Sequence, residues 1–185
     1  MLLAAFLNFH GDRAVVVGGG SVALRRVPVL LRAGLKVSVV APGIAAGLRA
    51  QDVTCMEREY RKEDLSGARL VLACTDSAAV NDRVTEDALG LGLLVSHAGS
   101  AERGNLRFPA TLEQGGVQVA LTTGRELPML AQALKERLEG VLPEALPLDG
   151  WVQRREQAVT LSGSEREAAL AGLRRDIRLA VGLSA

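Results

Sequence analysis

Three consecutive glycines near the start of the sequence form a pattern that is typical of phosphate binding. Residues 18–23 read GxGxxA, directly after a β-branched run and before a helical pattern. Gly18 would permit a tight turn, Gly20 would let the backbone approach a pyrophosphate, and Ala23 would keep the helix close to the strand. Free amides at the helix start, which opens at Ser21, would then hold the phosphates. The alternative is a glycine-rich turn that binds nothing.

The ribose of a dinucleotide would have to be held without the usual acidic side chain. A Rossmann fold commonly places Asp or Glu at the end of its second strand. This sequence has Ala41, Pro42 and Gly43 there, so backbone groups or residues from elsewhere would bind the hydroxyls. No arginine directly follows the strand to receive a 2′-phosphate, and the sequence therefore favours NAD over NADP.

The elements that must position the turn alternate between strands and helices. Short apolar runs predict strands, and a period of 3.6 predicts helices. The predicted strands are 13–17, 36–41, 53–57, 69–74 and 93–97, and the predicted helices are 21–33 and 77–91. Such alternation is typical of an α/β fold with a parallel sheet covered by helices.

The pattern changes at about residue 111. Two glycines lead into a predicted strand at 117–122, and Pro128 opens an amphipathic helix. Two more helices are predicted at 151–159 and 165–181. The expected boundaries give three regions: 1–112, 113–147 and 148–185.

Composition limits the partners that this chain can have. Its 185 residues include 22 Lys and Arg and 21 Asp and Glu, and a net charge of +1 argues against binding to nucleic acid. Its two cysteines lack the spacing of a zinc site or a disulfide framework, so we expect no metal and a reducing, cytoplasmic location. We expect neither a membrane span nor a secretory signal peptide.

An ordered set of short motifs covers about three quarters of the chain. The set comprises Ser21-Val22-Ala23, Ala41-Pro42, Ala73-Cys74-Thr75-Asp76, Asn105-Leu106-Arg107-Phe108-Pro109-Ala110, Thr122-Thr123-Gly124 and the helix after Pro128. In this set the chain resembles the precorrin-2 dehydrogenase family, to which the N-terminal half of siroheme synthase belongs. The resemblance implies a homodimer with a Rossmann-like NAD-binding domain, a small α+β dimerisation region and a C-terminal helical region. It also implies oxidation of the tetrapyrrole precorrin-2 to sirohydrochlorin in siroheme or cobalamin biosynthesis.

The resemblance also implies roles for individual residues. The cofactor-binding set, with the glycine turn included, is Gly18, Gly20, Ser21, Val22, Ala23, Pro42, Gly43, Thr75 and Asp76. Asn105 and the hydroxyls of Thr122 and Thr123 would face the tetrapyrrole.

The sequence departs from the family pattern in two places. Where the family has an aspartate pair after its fifth strand, this chain has Gly99 and Ser100, so the carboxylate that the family uses as its acid/base group is absent. After the Thr-Gly pair, Arg125 and Leu127 replace a glycine and a serine of the family. These changes would alter the pocket wall near the substrate.

The implied oxidation removes a hydride and a proton, so a nearby base should accelerate it by a factor of about 100 to 10,000. His97, at the end of the fifth strand, is the candidate catalytic residue, with Glu102 in reserve. The alternative for His97 is a structural role in which the ring caps the strand edge or packs under the following loop.

Three arginines fall in the segments that would border the substrate: Arg103, Arg107 and Arg125. Precorrin-2 is a polycarboxylate, and guanidinium groups bind carboxylates well. Each arginine alone could equally be a solvated surface residue, but their coincidence favours a polyanionic substrate.

Our first hypothesis from the sequence is therefore an NAD-dependent precorrin-2 dehydrogenase, with iron insertion into the product left open. A second hypothesis is a catalytically silent member that binds NAD or a tetrapyrrole as a sensor, carrier or partner subunit. A third is a Rossmann reductase for another small substrate.

Overall fold

The β-branched run that precedes the glycines forms the central strand of a parallel sheet. The structure is a computed structural model that describes residues 2–123 and 127–184. Contacts between residues group the chain into two compact units, residues 1–108 and 109–185. In the first unit the strands are β1 (Arg13–Val17), β2 (Lys36–Val40), β3 (Val53–Met56), β4 (Ala68–Ala73) and β5 (Leu94–His97). All neighbouring strands pair in parallel in the order β3-β2-β1-β4-β5. The predicted Rossmann-like α/β fold is confirmed.

Helices cover both faces of this sheet. They are α1 (Ser21–Arg32), the short α2 (Ala46–Arg49) and α3 (Ala78–Gly90), and a 3-10 helix spans Lys62–Leu65. Alternate side chains of β1 enter two separate apolar clusters, as the two-residue period of a strand requires. Val16 packs with Val27 of α1 on one face, and Val17 packs with Val84 of α3 on the other. Burial on both faces explains why β1 is continuously apolar from Ala14 to Val17.

The second unit contains a two-stranded hairpin and three helices. The hairpin pairs β6 (Ala110–Gln114) with β7 (Val117–Leu121), and the helices are α4 (Pro128–Glu139), α5 (Leu148–Thr160) and α6 (Gly163–Ala180). Gly115 and Gly116 connect the strands with φ angles of 60° and 77°, which suit a tight hairpin turn. Residue 112, after which the first boundary is expected, lies inside β6, and that boundary stays a prediction. The further boundary at residue 147 stays a prediction.

No helix in residues 2–123 and 127–184 is long and apolar enough to cross a bilayer.

An ion pair between half-buried Arg58 and the buried carboxylate of Asp64 anchors the segment between β3 and β4. Asp64 is buried, and its Oδ2 accepts hydrogen bonds of 2.8 Å from both the Arg58 guanidinium and the Arg61 amide. The hydrogen bond from Arg58 lowers the pKa of Asp64 below its ordinary value of 3.8. The ionised carboxylate therefore stabilises the folded chain at neutral pH, and this contribution is lost as the pH falls through the lowered pKa.

We predict that Asp64→Asn lowers the free energy of unfolding at pH 7 by about 1–3 kcal/mol, because it weakens hydrogen bonds to a buried charge. The difference from the native protein should shrink as the pH falls below 3.8. Urea denaturation across this pH range measures both effects. Glu59→Gln, which alters an exposed carboxylate nearby, is the control, and an equal loss in that variant would contradict the assignment.

Candidate functional site

The glycine turn is held by direct contact with two neighbouring backbone segments. Gly18 has a φ of 126°, and a Cβ added there would lie 2.4 Å from the carbonyl oxygen of Cys74, just after β4. A Cβ on Gly19 would lie 2.2 Å from the carbonyl oxygen of Gly43, just after β2. Both distances are far below van der Waals contact, so only glycine fits at these two positions.

Gly20 differs from its neighbours, because an added Cβ would meet nothing within 4 Å. It is exposed and is the N-cap residue of α1, and no side chain in the described part of the protein caps it. The first amides of a helix have no partner within the helix, so those of Ser21, Val22 and Ala23 are available to a ligand, whereas the Leu24 amide donates to the Gly20 carbonyl over 3.0 Å. The open space over Gly20, with these donors and the positive end of the dipole, fits a diphosphate group.

A cavity of about 440 Å³ adjoins this turn at the carboxyl edge of the sheet. Val22 of α1 and Cys74 contribute to its wall, and the residues that follow β4 and β5 complete it. Its polar lining includes Thr75, Asp76, Asn81, Asp82, His97 and Arg103. This edge is where ligands of open parallel sheets bind.

The residues after β4 form a rigid part of the cavity wall. The side-chain oxygen of Asn81 accepts hydrogen bonds of 2.8 Å from the amide and the hydroxyl of Thr75. The Asn81 amide group donates to the Thr75 carbonyl over 2.9 Å. Asp76, next in the chain, is exposed. Thr75 and Asp76 therefore lie at the edge of the cavity, while the Thr75 hydroxyl is already engaged within the protein.

His97 lies at the end of β5 with its ring almost fully buried. Its Nδ1 accepts hydrogen bonds from the amides of Gly99 (3.1 Å) and Ser100 (3.0 Å). An atom that accepts two amide hydrogens carries no hydrogen of its own, so in the neutral ring the proton lies on Nε2. Nε2 is 3.1 Å from Oδ1 of Asp82, to which it donates. The ring thus joins the turn after β5 to helix α3.

Asp82 also pairs with Arg103 through the same oxygen, Oδ1. This carboxylate therefore connects α3 with both His97 and the loop that carries Arg103. Asn81 and Asp82 are not among the site residues predicted from the sequence. The available signal was their position one turn into the helix that follows a central strand, where side chains approach the carboxyl edge of the sheet.

Cys74, whose backbone contacts Gly18, has a buried thiol. Burial, together with the nearby charge of Asp76, raises the pKa of Cys74 to about 12. The thiol therefore stays protonated near neutral pH and packs in the core as an apolar group.

The predicted substrate residues lie in both units. In the first unit, Oδ1 of Asn105 accepts from the Val95 amide (2.7 Å) and its amide group donates to the Leu93 carbonyl (2.9 Å). This side chain is therefore engaged with β5, and a contact with substrate stays a prediction. Arg107 is half-buried.

The remaining predicted substrate residues lie beyond β7. Thr122 is exposed and Thr123 is half-buried, and both belong to the second unit. Arg125 lies outside the described residues. A role for each of them in binding a tetrapyrrole stays a prediction.

Comparison with known proteins finds relatives that cover most of this chain. Residues 5–110 match the model of a family described as "Putative NAD(P)-binding". A siroheme synthase of Azotobacter vinelandii is 37% identical over 145 residues, which are 76% of this chain and 31% of that protein. Siroheme synthase 2 of Aeromonas hydrophila subsp. hydrophila is 34% identical over 170 residues, which are 89% of this chain and 36% of that one. The chain thus spans about a third of the length of these curated relatives.

A solved structure is also similar over nearly the whole chain. It is the precorrin-2 dehydrogenase SirC, with a TM-score of 0.74 and 25% sequence identity. The match covers 93% of this chain and 89% of that one.

We predict that nitrogen-15 NMR of the imidazole rings finds His97 as the Nε2–H tautomer at a pH where the ring is neutral. Two amides that donate to Nδ1 make the other tautomer unfavourable. The exposed His10 serves as the internal control and should show a mixture of tautomers. A protonated Nδ1 in His97 would contradict the hydrogen-bond assignment.

Proposed function

The chain belongs to the NAD(P)-binding family of the precorrin-2 dehydrogenases and siroheme synthases, and from this membership we propose that it oxidises precorrin-2 to sirohydrochlorin with NAD. The observation that carries the proposal is the open glycine turn, whose free helix amides adjoin a cavity of about 440 Å³. Bound NAD would supply a hydride acceptor. The substrate would lose one hydride and one proton, which balances the two-electron oxidation.

The coenzyme would be held by the set predicted from the sequence. Amides from Ser21 onward would bind its diphosphate, with Gly18, Gly20 and Ala23 shaping the turn. Pro42 and Gly43 are exposed beside this turn, which supports their proposed contact with the adenosine half. Val22 and Asp76 line the adjoining cavity and would contact the nicotinamide half.

The proposed proton acceptor is His97, acting with Asp82. In the free protein Nε2 carries the ring proton and donates to Asp82, while the lone pair of Nδ1 accepts from the amides of Gly99 and Ser100. Proton uptake at Nδ1 therefore requires both amides to leave it when the ligands bind. Catalytic hydrogen bonds often reach their working geometry only in the complex with substrate. The competing role for His97 is to fix the turn at Gly99 and Ser100.

Cationic and polar groups would bind the carboxylates of the tetrapyrrole. Arg103 lines the cavity and is more than half exposed, which supports such a role. The other proposed substrate contacts are Asn105, Arg107, Thr122, Thr123 and Arg125.

The test of this function supplies purified protein with precorrin-2 and NAD under anaerobic conditions and follows NADH formation. We predict turnover by the native protein and a loss of about 100-fold or more in kcat for His97→Ala, the usual contribution of a general base. His10→Ala, which removes the exposed second histidine, should retain native activity.

The outcomes of this assay separate the hypotheses. Calorimetric binding of NAD without turnover would support the silent alternative. Full activity in His97→Ala would remove the ring from proton transfer and leave it the structural role.

We also propose that the protein is a cytoplasmic homodimer. Both cysteines are free thiols, which suits a reducing compartment. In the second unit, α4 exposes large apolar side chains, with Met129 76% and Leu134 44% accessible. A second copy of the chain would cover this apolar surface.

Sedimentation equilibrium should therefore give about twice the chain mass of 19.5 kDa. Leu134→Glu should shift the protein toward the monomer, because a charge in an apolar interface is costly to desolvate. Gln132→Glu adds the same charge at an exposed position of the helix that lies outside the arc from Met129 to Leu134, and it is the control. A native protein that sediments as a monomer would refute the homodimer.

A further inference from the structure

The neighbouring strand supplies a carboxylate at the place where β2 lacks one. The register between β2 and β3 pairs Val40 with Met56, so Glu57 lies level with Ala41, the first residue after β2. A hydrogen bond of 3.2 Å from the Ala41 amide to the Met56 carbonyl extends the pairing to this point. Glu57 therefore stands beside the loop of Ala41, Pro42 and Gly43.

Arg49 extends from α2 to the same place, the corner of the sheet edge formed by Glu57 and residues 41–43. Its Nε donates to the Ile44 carbonyl over 3.2 Å, and its Nη1 pairs with Oε1 of Glu57. The two side chains are 45% and 48% exposed, so both remain accessible to a ligand. The hydrogen bond from Arg49 lowers the pKa of Glu57, which keeps the carboxylate ionised.

This corner lies directly against the phosphate-binding turn. The Gly43 carbonyl occupies the space that a side chain on Gly19 would need, and the Ala45 amide donates to the Gly19 carbonyl over 3.0 Å. In a Rossmann fold the adenosine ribose lies at the end of the second strand. An acidic side chain there accepts from the 2′-hydroxyl of NAD, whereas an arginine there binds the 2′-phosphate of NADP.

The second arginine of this region is engaged elsewhere. Arg58 follows Glu57 in the chain, but its guanidinium is bound to the buried carboxylate of Asp64. Of these two guanidinium groups, Arg49 is therefore the one placed beside the β2 loop.

We propose that the Arg49–Glu57 pair selects the coenzyme. Glu57 faces the adenosine ribose and neutralises Arg49, so a 2′-phosphate meets a carboxylate and finds the guanidinium occupied. The adenosine ribose of NAD carries hydroxyls and no 2′-phosphate. It is therefore not repelled by the carboxylate and does not need the guanidinium, and it can hydrogen-bond to Glu57. The inference rests on the proposed binding of a nicotinamide coenzyme, but it does not depend on which substrate is oxidised.

The test measures the affinities of NAD and NADP separately by titration calorimetry. Glu57→Gln keeps the size of the side chain, removes its charge and frees Arg49. We expect NADP to bind this variant about tenfold more tightly than the native protein, the gain of one charge-assisted contact to phosphate. The affinity for NAD should not rise, because the glutamine amide is a weaker acceptor for a ribose hydroxyl than the carboxylate that it replaces.

The double variant Arg49→Gln, Glu57→Gln identifies the source of this gain. It should lose most of the tighter NADP binding, because the guanidinium that receives the phosphate is absent. Asp52→Asn removes an exposed carboxylate just before β3 and is the control, with native preference expected.

Unchanged NADP affinity in Glu57→Gln would overturn the proposal. So would a gain that persists in the double variant, or a native protein that prefers NADP. Weak and equal binding of both coenzymes to the native protein would refute coenzyme selection by the Arg49–Glu57 pair, but it would not contradict the Rossmann-like fold. Failure to oxidise precorrin-2, with NAD binding and selectivity as expected, would refute only the proposed substrate.

Discussion

Direct backbone contact at Gly18 and Gly19 is the constraint on which the rest of the site depends. The turn out of β1 touches the carbonyl of Cys74 on one side and the carbonyl of Gly43 on the other, with no side chain between them. Three strand ends and the start of α1 converge there as a result. The open space at Gly20, the cavity beyond β4 and the Arg49–Glu57 pair are all arranged around this contact.

The polar groups around this point fall into two classes. Some side chains are satisfied within the protein and hold the walls, as Asn81 does for Thr75 and as His97 does for the turn after β5. The backbone amides at the start of α1 and the exposed charges of Arg49 and Glu57 remain available to ligands. Preorganisation of this kind lowers the ordering cost of binding, since the walls are fixed before a ligand arrives.

Sequence reasoning succeeded where local pattern decides the structure. The predicted β1 is identical to the observed strand, and the predicted α1 is one residue too long, because an apolar period and a following glycine mark both elements. It missed β6, whose sequence ATLEQ becomes a strand through its pairing with β7. His97 was singled out, but its partner Asp82 lies fifteen residues earlier on another element. The position of Asp82 near the start of a helix after a central strand indicates the edge of the sheet that it approaches, but its contact with His97 depends on the order of the strands in the sheet.

The engagement of Asn105 has a consequence for how the molecule behaves in a crowded solution. β5 is the last strand of the sheet, and its outer edge would offer unpaired backbone groups to any extended chain nearby. The side chain of Asn105 and the amides of Asn105 and Leu106 occupy that edge at Leu93 and Val95. Gly104 allows the close approach, because a Cβ there would lie 2.5 Å from the Val95 carbonyl oxygen. Residues 104–106 therefore block this edge of β5 from pairing with a strand of another molecule.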